Sequence, residues 1–276
     1  MSRKLPHILV EVLSVLLALA IFGVPVSYVV TNAGKTPVAA AQMLIAPSAT
    51  TQYLKNFSDV IAASNNMLVR AFINSTIITI MSIVLLLAVS SMAGFVLDRR
   101  KGRAITWINF LVLAGLMIPP AVVPTIWLLK SIGLYKTFLG LVLVEVALSF
   151  PFSVLLYRGY VGAIPRELDE ASFMDGCTGI QLFVKVIFPL MKPVSTTIAI
   201  ITSISVFNDF VNPLYFLPGS KNVTVQLTLY NFISTYVNKW NLLFADIFLI
   251  SLPPLLFFIL FNRKIVSGMV AGAVKS

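Results

Sequence analysis

Apolar residues along this chain gather into six long stretches, near 8–30, 68–97, 107–129, 137–158, 188–217 and 241–262. Each is close to the roughly 20 residues that a helix needs to cross a bilayer. Runs such as IITIMSIVLLLAVSSMAGFVL are continuously apolar, without the alternation of an outer-membrane strand. The pattern predicts an all-α integral membrane fold with six transmembrane helices in a single domain over 1–276. The first stretch runs past Pro25 without a small-residue cleavage site and is read as a retained helix.

One polar stretch, 161–187, is too charged to span and too regular for a plain loop, and it predicts two short helices. Pro165 suits a first helical position, and Glu167, Asp169 and Glu170 follow where carboxylates meet the positive end of the helix dipole. Gly176 is the stop. Thr178 and Gln181 then form a capping-box pattern, so a second helix starts at once and runs toward Pro189, where the next membrane segment begins. At 100° per residue Ile164, Leu168 and Ala171 share one face, with Arg166, Asp169, Glu170 and Phe173 roughly opposite. A phenyl ring among charges fits a protein-docking anchor, and the stretch also fits a helix lying at the membrane surface.

Charge sets the topology. Only 11% of positions are charged, yet the net charge is +10, and the cations cluster beside the apolar segments: RRKGR at 99–103, Arg263 and Lys264 after the last, Arg3 and Lys4 before the first. The positive-inside rule places these and both termini in the cytoplasm, with 31–66 and 218–240 outside. A nucleic-acid partner is not indicated; lipid is the surrounding medium. The single cysteine, Cys177, excludes an intramolecular disulfide, and the single histidine, His7, excludes His clusters for metal. No cofactor or metal is expected in this chain.

Ionisable residues inside a membrane each need a reason. Glu145 falls midway along the fourth segment and reads as a buried carboxyl bonded to a neighbouring helix. In FNDFVNPLYFL, 207–217, Asn208 and Asn212 are four apart on one helical face, Asp209 flanks them, and Phe207, Phe210 and Tyr215 lie nearby. Amide and carboxyl groups beside aromatic faces suit a sugar path, and they equally suit helix-to-helix bonding. Prolines 119, 120, 124, 253 and 254 inside apolar segments predict kinks.

The series Glu170-Ala171-Ser172, three residues, Gly176, nine residues, then VIFP ending at Pro189 resembles the EAA loop of the membrane subunits of binding-protein-dependent ABC importers. Ser172, Val186 and Phe188 depart from its commonest residues without changing size class. FNDFVNPL resembles the W-N-x-F-x-x-P-L segment of the carbohydrate, maltose-permease-like class, with Phe207 in place of Trp. Residues 117–134, 224–241 and 265–276 are similar to that class's third helix, its external loop and its C-terminal tail. The resemblance implies a type I importer fold and a non-catalytic subunit of a bacterial or archaeal cytoplasmic membrane. The resemblance implies that the chain forms half of a path for a sugar or oligosaccharide. It implies a cytoplasmic ATPase dimer that binds ATP and Mg, a second permease subunit of related sequence, and an extracytoplasmic solute-binding protein. It also assigns Glu170, Ala171, Ser172, Phe173, Asp175, Gly176 and Arg166 to ATPase coupling, and Asn208, Asp209, Asn212 and Tyr215 to the substrate path.

Three alternatives stand beside it. Within the importer class the solute is another polar molecule, such as glycerol phosphate or a polyol. A self-contained secondary transporter uses Glu145 and Asp209 for ion coupling and leaves the charged 161–187 helices unexplained. A membrane enzyme lacks a convincing nucleophile and base. The chain has no phosphate-binding loop, because GMVAGAVKS has the wrong spacing.

Overall fold

The computed structural model describes residues 4–219, 221–233 and 238–273, with side chains between 10 and 261. Arg3, residues 234–237 of the external-loop stretch and 274–276 of the tail lie outside the described residues. Every regular element among the described residues is helical. In order they are α1 (Lys4–Ala18), which runs through a π turn (Leu19–Gly23) into α2 (Val24–Ala33), then α3 (Pro37–Ala41), α4 (Tyr53–Arg99), α5 (Arg103–Ala114), α6 (Val122–Ser131) and α7 (Phe138–Val161). They are followed by α8 (Glu167–Met174), α9 (Gly179–Leu182), a π turn (Phe183–Ile187), α10 (Phe188–Leu190), α11 (Lys192–Phe207), α12 (Val211–Phe216), a 3-10 turn (Val225–Phe232) and α13 (Trp240–Ala273).

Four helices are long and apolar enough to cross a membrane: Val10–Ala33, Tyr53–Arg99, Phe138–Val161 and Trp240–Phe261. A fifth span results if Gly179–Leu190 and Lys192–Phe207, bent by 72°, are counted together. Two expected segments therefore need correction. The third is not one helix but α5 and α6, separated at 115–121 where Pro119 and Pro120 supply no N–H. The fifth is α11 and α12, interrupted at 208–210. Pro213 has no N–H for the Asp209 carbonyl, and the Asp209 carboxylate takes the N–H groups of Val211 and Asn212 instead, at 2.8 and 3.3 Å.

The chain divides into two compact units. The first comprises Met1–Arg70 and Gln226–Pro253. Its interior is tied by amides: Asn56 donates to the carbonyls of Ala33 and Lys35 at 2.8 and 2.9 Å and accepts from Asn241 at 2.9 Å. The Lys35 ammonium is buried against the Asn32 side-chain oxygen and the Leu44 carbonyl. Here α4 is broken at residues 63–66, where Ser64, Asn65 and Asn66 are left-handed. The sequence-predicted segment at 68–97 starts just beyond that break.

The second unit comprises Ala71–Val225 and Pro254–Ser276 and holds the 161–187 region. Its core includes Leu86, Leu141, Tyr157, Val161, Leu182, Ile187 and Ile198. The Tyr157 hydroxyl meets the Ser195 hydroxyl at 2.7 Å and links α7 to α11. A Cβ at Gly94 would lie 2.5 Å from Cβ of Tyr157 and 3.0 Å from the Arg158 nitrogen, so α4 and α7 approach backbone to backbone there. Alanine normally gains about 0.5–1 kcal/mol over glycine within a helix. Gly94→Ala is nevertheless expected to destabilise by about 1–3 kcal/mol through overpacking, seen as a lower melting temperature in detergent. An unchanged or higher melting temperature would contradict that close approach.

Candidate functional site

The elbow between α7 and α11 is built from local signals, most of them legible in the chain. α8 starts at Glu167, two residues later than Pro165 had indicated, with Arg166 as its N-cap residue. Its end is a Schellman motif: the N–H of Gly176 bonds to the Phe173 carbonyl and that of Cys177 to the Ser172 carbonyl, both at 3.0 Å. This closure places Gly176 at φ +81°, a conformation that glycine adopts without a Cβ penalty. Asp175 holds the C-cap position. The capping box then starts α9 as expected: the Thr178 N–H donates to Gln181 Oε1 at 2.8 Å, and the Gln181 N–H to Thr178 Oγ1 at 3.3 Å. The chain leaves through α10, and the 72° bend falls at Met191, two residues past Pro189.

The face that α8 buries is not the one that carries Leu168 and Ala171. Ser172 is buried and Asp169 partly buried, whereas Leu168 and Ala171 are exposed. An ion pair turns the helix: Asp169 Oδ2 lies 2.6 Å from Nε of Arg99, with the two side chains only 14% and 10% exposed. Arg99 also meets Asp98 at 3.2 Å and donates to the Ile164 carbonyl at 3.1 Å. Arg166, itself exposed, reaches the Asp98 carbonyl at 3.5 Å. Arg99 is the site residue that sequence reasoning missed, since within RRKGR it reads as one more topology-setting cation.

With Asp169 and Ser172 turned inward, the opposite side is open. Phe173 is 54% exposed, Met174 88%, Ile180 78% and Val184 54%. Exposed Glu167, Glu170 and Asp175 flank this apolar crest. Glu170 has no ion-pair partner among the described residues. Beneath the crest, Leu182 and Ile187 enter the core and the Phe183 ring lies 5.5 Å from that of Phe95. The elbow is thus clamped on one side and presents apolar residues with acids on the other.

The segment-five residues separate. Asn208 caps α11, with its amide on the Ile204 carbonyl at 2.9 Å, and is exposed. Asn212 lies beyond the 208–210 break in α12, so the two do not share the face of one continuous helix. The Asn212 amide donates to Oε1 of Glu145 at 3.1 Å, and the Glu145 carboxyl, 4% exposed, also contacts Asp209. Glu145 is therefore the buried carboxyl bonded to a neighbouring element that its position indicated. Tyr215 is exposed at 46%. Near the first turn of the external-loop stretch, Asn74 donates to the Val223 carbonyl at 2.9 Å, and Ser75 Oγ accepts the Val225 N–H at 3.0 Å.

Comparison with known proteins gives similarities of sequence and of fold. The model of the family described as "Binding-protein-dependent transport system inner membrane component" matches residues 87–271. Among curated proteins, the chain is 31% identical over 223 residues to the melibiose/raffinose/stachyose import permease protein MelC of Bacillus subtilis (strain 168), covering 80% of each chain. It is 32% identical over 227 residues to the osmoprotective compounds uptake permease protein GgtD of Synechocystis, covering 81% of this chain and 76% of that protein. Its fold matches a chain in the crystal structure of a bacterial ABC transporter involved in the import of the acidic polysaccharide alginate. There the TM-score is 0.83 over 95% of this chain and 97% of that one, at 19% identity.

Proposed function

We propose that this chain, which belongs to the family of inner membrane components of binding-protein-dependent transport systems, forms half of the path by which an ATP-driven importer admits a sugar or oligosaccharide. It is a multi-pass membrane protein and a transport permease. The observation that carries the finer reading is the elbow at 165–187, a helix pair clamped by Arg99 and offering an apolar, acid-flanked crest. Exposed apolar patches rimmed by polar groups mark protein-docking sites.

In this reading the crest sits in a socket of a cytoplasmic ATPase subunit. Phe173 is the anchor, Ala171 the small residue that permits close approach, Glu170 the charge offered to a basic group of that subunit, and Gly176 and Asp175 the turn that sets the angle of α9. ATP and Mg belong to the ATPase dimer. Closure of that dimer draws the elbows of two permease subunits together, and differential contact energy rocks the path between inward- and outward-facing states. Both termini and RRKGR lie on the cytoplasmic side, and the whole chain acts as one permease domain. A solute-binding protein docks outside, and a related second permease supplies the other half.

The saccharide named for MelC and the polysaccharide named for the alginate transporter support the sugar assignment. The osmoprotective compounds named for GgtD keep another polar solute as the second reading. Within the path, exposed Asn208 and Tyr215 face solute, while Asn212 and Asp209 brace the break through Glu145 and the backbone. Reconstitution in liposomes tests the reading. Uptake is expected only when the second permease, an ATPase, ATP and a solute-binding protein are supplied, and accumulation by this chain alone would overturn it.

A further inference from the structure

Residues 115–121 are non-helical chain in the middle of an apolar segment bounded by Arg103 and Lys130. A neighbour fixes their depth. A Cβ at Gly115 would lie 2.9 Å from Cγ of Pro151, and Pro151 is near the midpoint of the membrane helix α7. All seven residues are exposed in this chain.

Among the described residues no hydrogen bond ends on a carbonyl oxygen of residues 115–120, and none starts from the N–H of Ala121, Val122 or Val123. Sequence explains part of this. The helical donors for the Gly115, Leu116 and Pro120 carbonyls would be Pro119, Pro120 and Pro124, which have no N–H. α6 also starts without a side-chain cap. A run of open acceptors is therefore followed directly by open donors at the depth of the bilayer centre.

Irregular backbone at this depth persists only where protein covers it or where it lines a water-filled cavity. A neighbouring membrane helix satisfies its own backbone groups internally and has few donors to spare for a row of carbonyls. Hydroxyl groups both donate and accept, so they match the two halves of the break. The second discontinuity of this unit lies close by in the fold: α12, which follows the 208–210 break, packs against both α6 and α7. In secondary transporters paired discontinuous helices frame midplane solute sites, and the same backbone chemistry is available here.

We infer that the 115–121 break lines the water-filled solute path, and that its open carbonyl and N–H groups bind the hydroxyls of an uncharged, polyhydroxylated solute. The inference rests on the importer reading, and the experiment separates the two. Uptake of raffinose, maltotriose and sucrose by the unmodified importer in membrane vesicles is measured first; if none enters under ATP, the sugar-importer reading fails.

With the sole cysteine removed (Cys177→Ser), Met117→Cys and Ile118→Cys are then treated with a charged, membrane-impermeant methanethiosulfonate. Both are expected to react at least about tenfold faster than Leu16→Cys in the apolar helix α1, because only a wet cavity admits the reagent. The transported sugar should slow that reaction, with sodium chloride at the same concentration having no such effect. If these variants do not assemble, Ala121→Cys is read in the same way. Lack of reaction in every nucleotide state, or crosslinking to the second permease without reaction, overturns the inference. Reaction that no sugar slows overturns its hydroxyl-binding part.

Discussion

Glu170→Lys is expected to abolish ATP-driven uptake while the protein stays in the membrane at its normal level. Glu170 is exposed and has no ion-pair partner among the described residues, so reversing its charge breaks no described bond that holds the elbow together. Its place is one turn before Phe173 and Met174, at the edge of the exposed crest. Removing one partner of a desolvated charge pair costs about 2–5 kcal/mol, and reversal adds repulsion. That is about a 30- to 4,000-fold loss of affinity. The check is uptake by intact cells beside the amount of ATPase that co-purifies with the permease. Both should fall together, and Glu170→Gln should lie between the wild type and the reversal. Wild-type uptake by Glu170→Lys would remove Glu170 from the joint.

What could be read directly from the chain was local chemistry. The capping box at Thr178 and Gln181 needs only residues three apart, and Gly176 needs only the carbonyls of the helix it ends. Apolar runs placed the helices, because crossing hydrocarbon demands continuous length. The interruptions were less legible. Prolines 119 and 120 point to a kink, but whether a helix bends or parts depends on neighbours that periodicity cannot identify. At 208–210 the chain parts because Asp209 offers its carboxylate to the backbone and Glu145 engages Asn212. The buried face of α8 is illegible for the same reason. A helical wheel weights apolarity and selects Leu168 and Ala171, but the partner that turns the helix is a cation on α4 some seventy positions earlier.

That cation carries the second large expectation. Arg99→Ala should uncouple the transporter, so that ATP hydrolysis by the assembled complex continues while solute uptake falls steeply. Arg99 fixes α8 to α4 through the 2.6 Å contact with Asp169 and the bond to the Ile164 carbonyl, both nearly shielded from water. Truncating one side of a buried pair costs about 3–5 kcal/mol, because the other charge is left without compensation. Asp169 would turn α8 outward to regain water, and the crest would move without carrying α7 and α11. Charge exchange separates this clamp from a merely structural arginine. Arg99→Asp with Asp169→Arg restores the pair but not the carbonyl bond, so it should regain part of the coupling that either single change loses. Tight coupling in Arg99→Ala, with uptake per ATP unchanged, would show that the elbow transmits force without this ion pair.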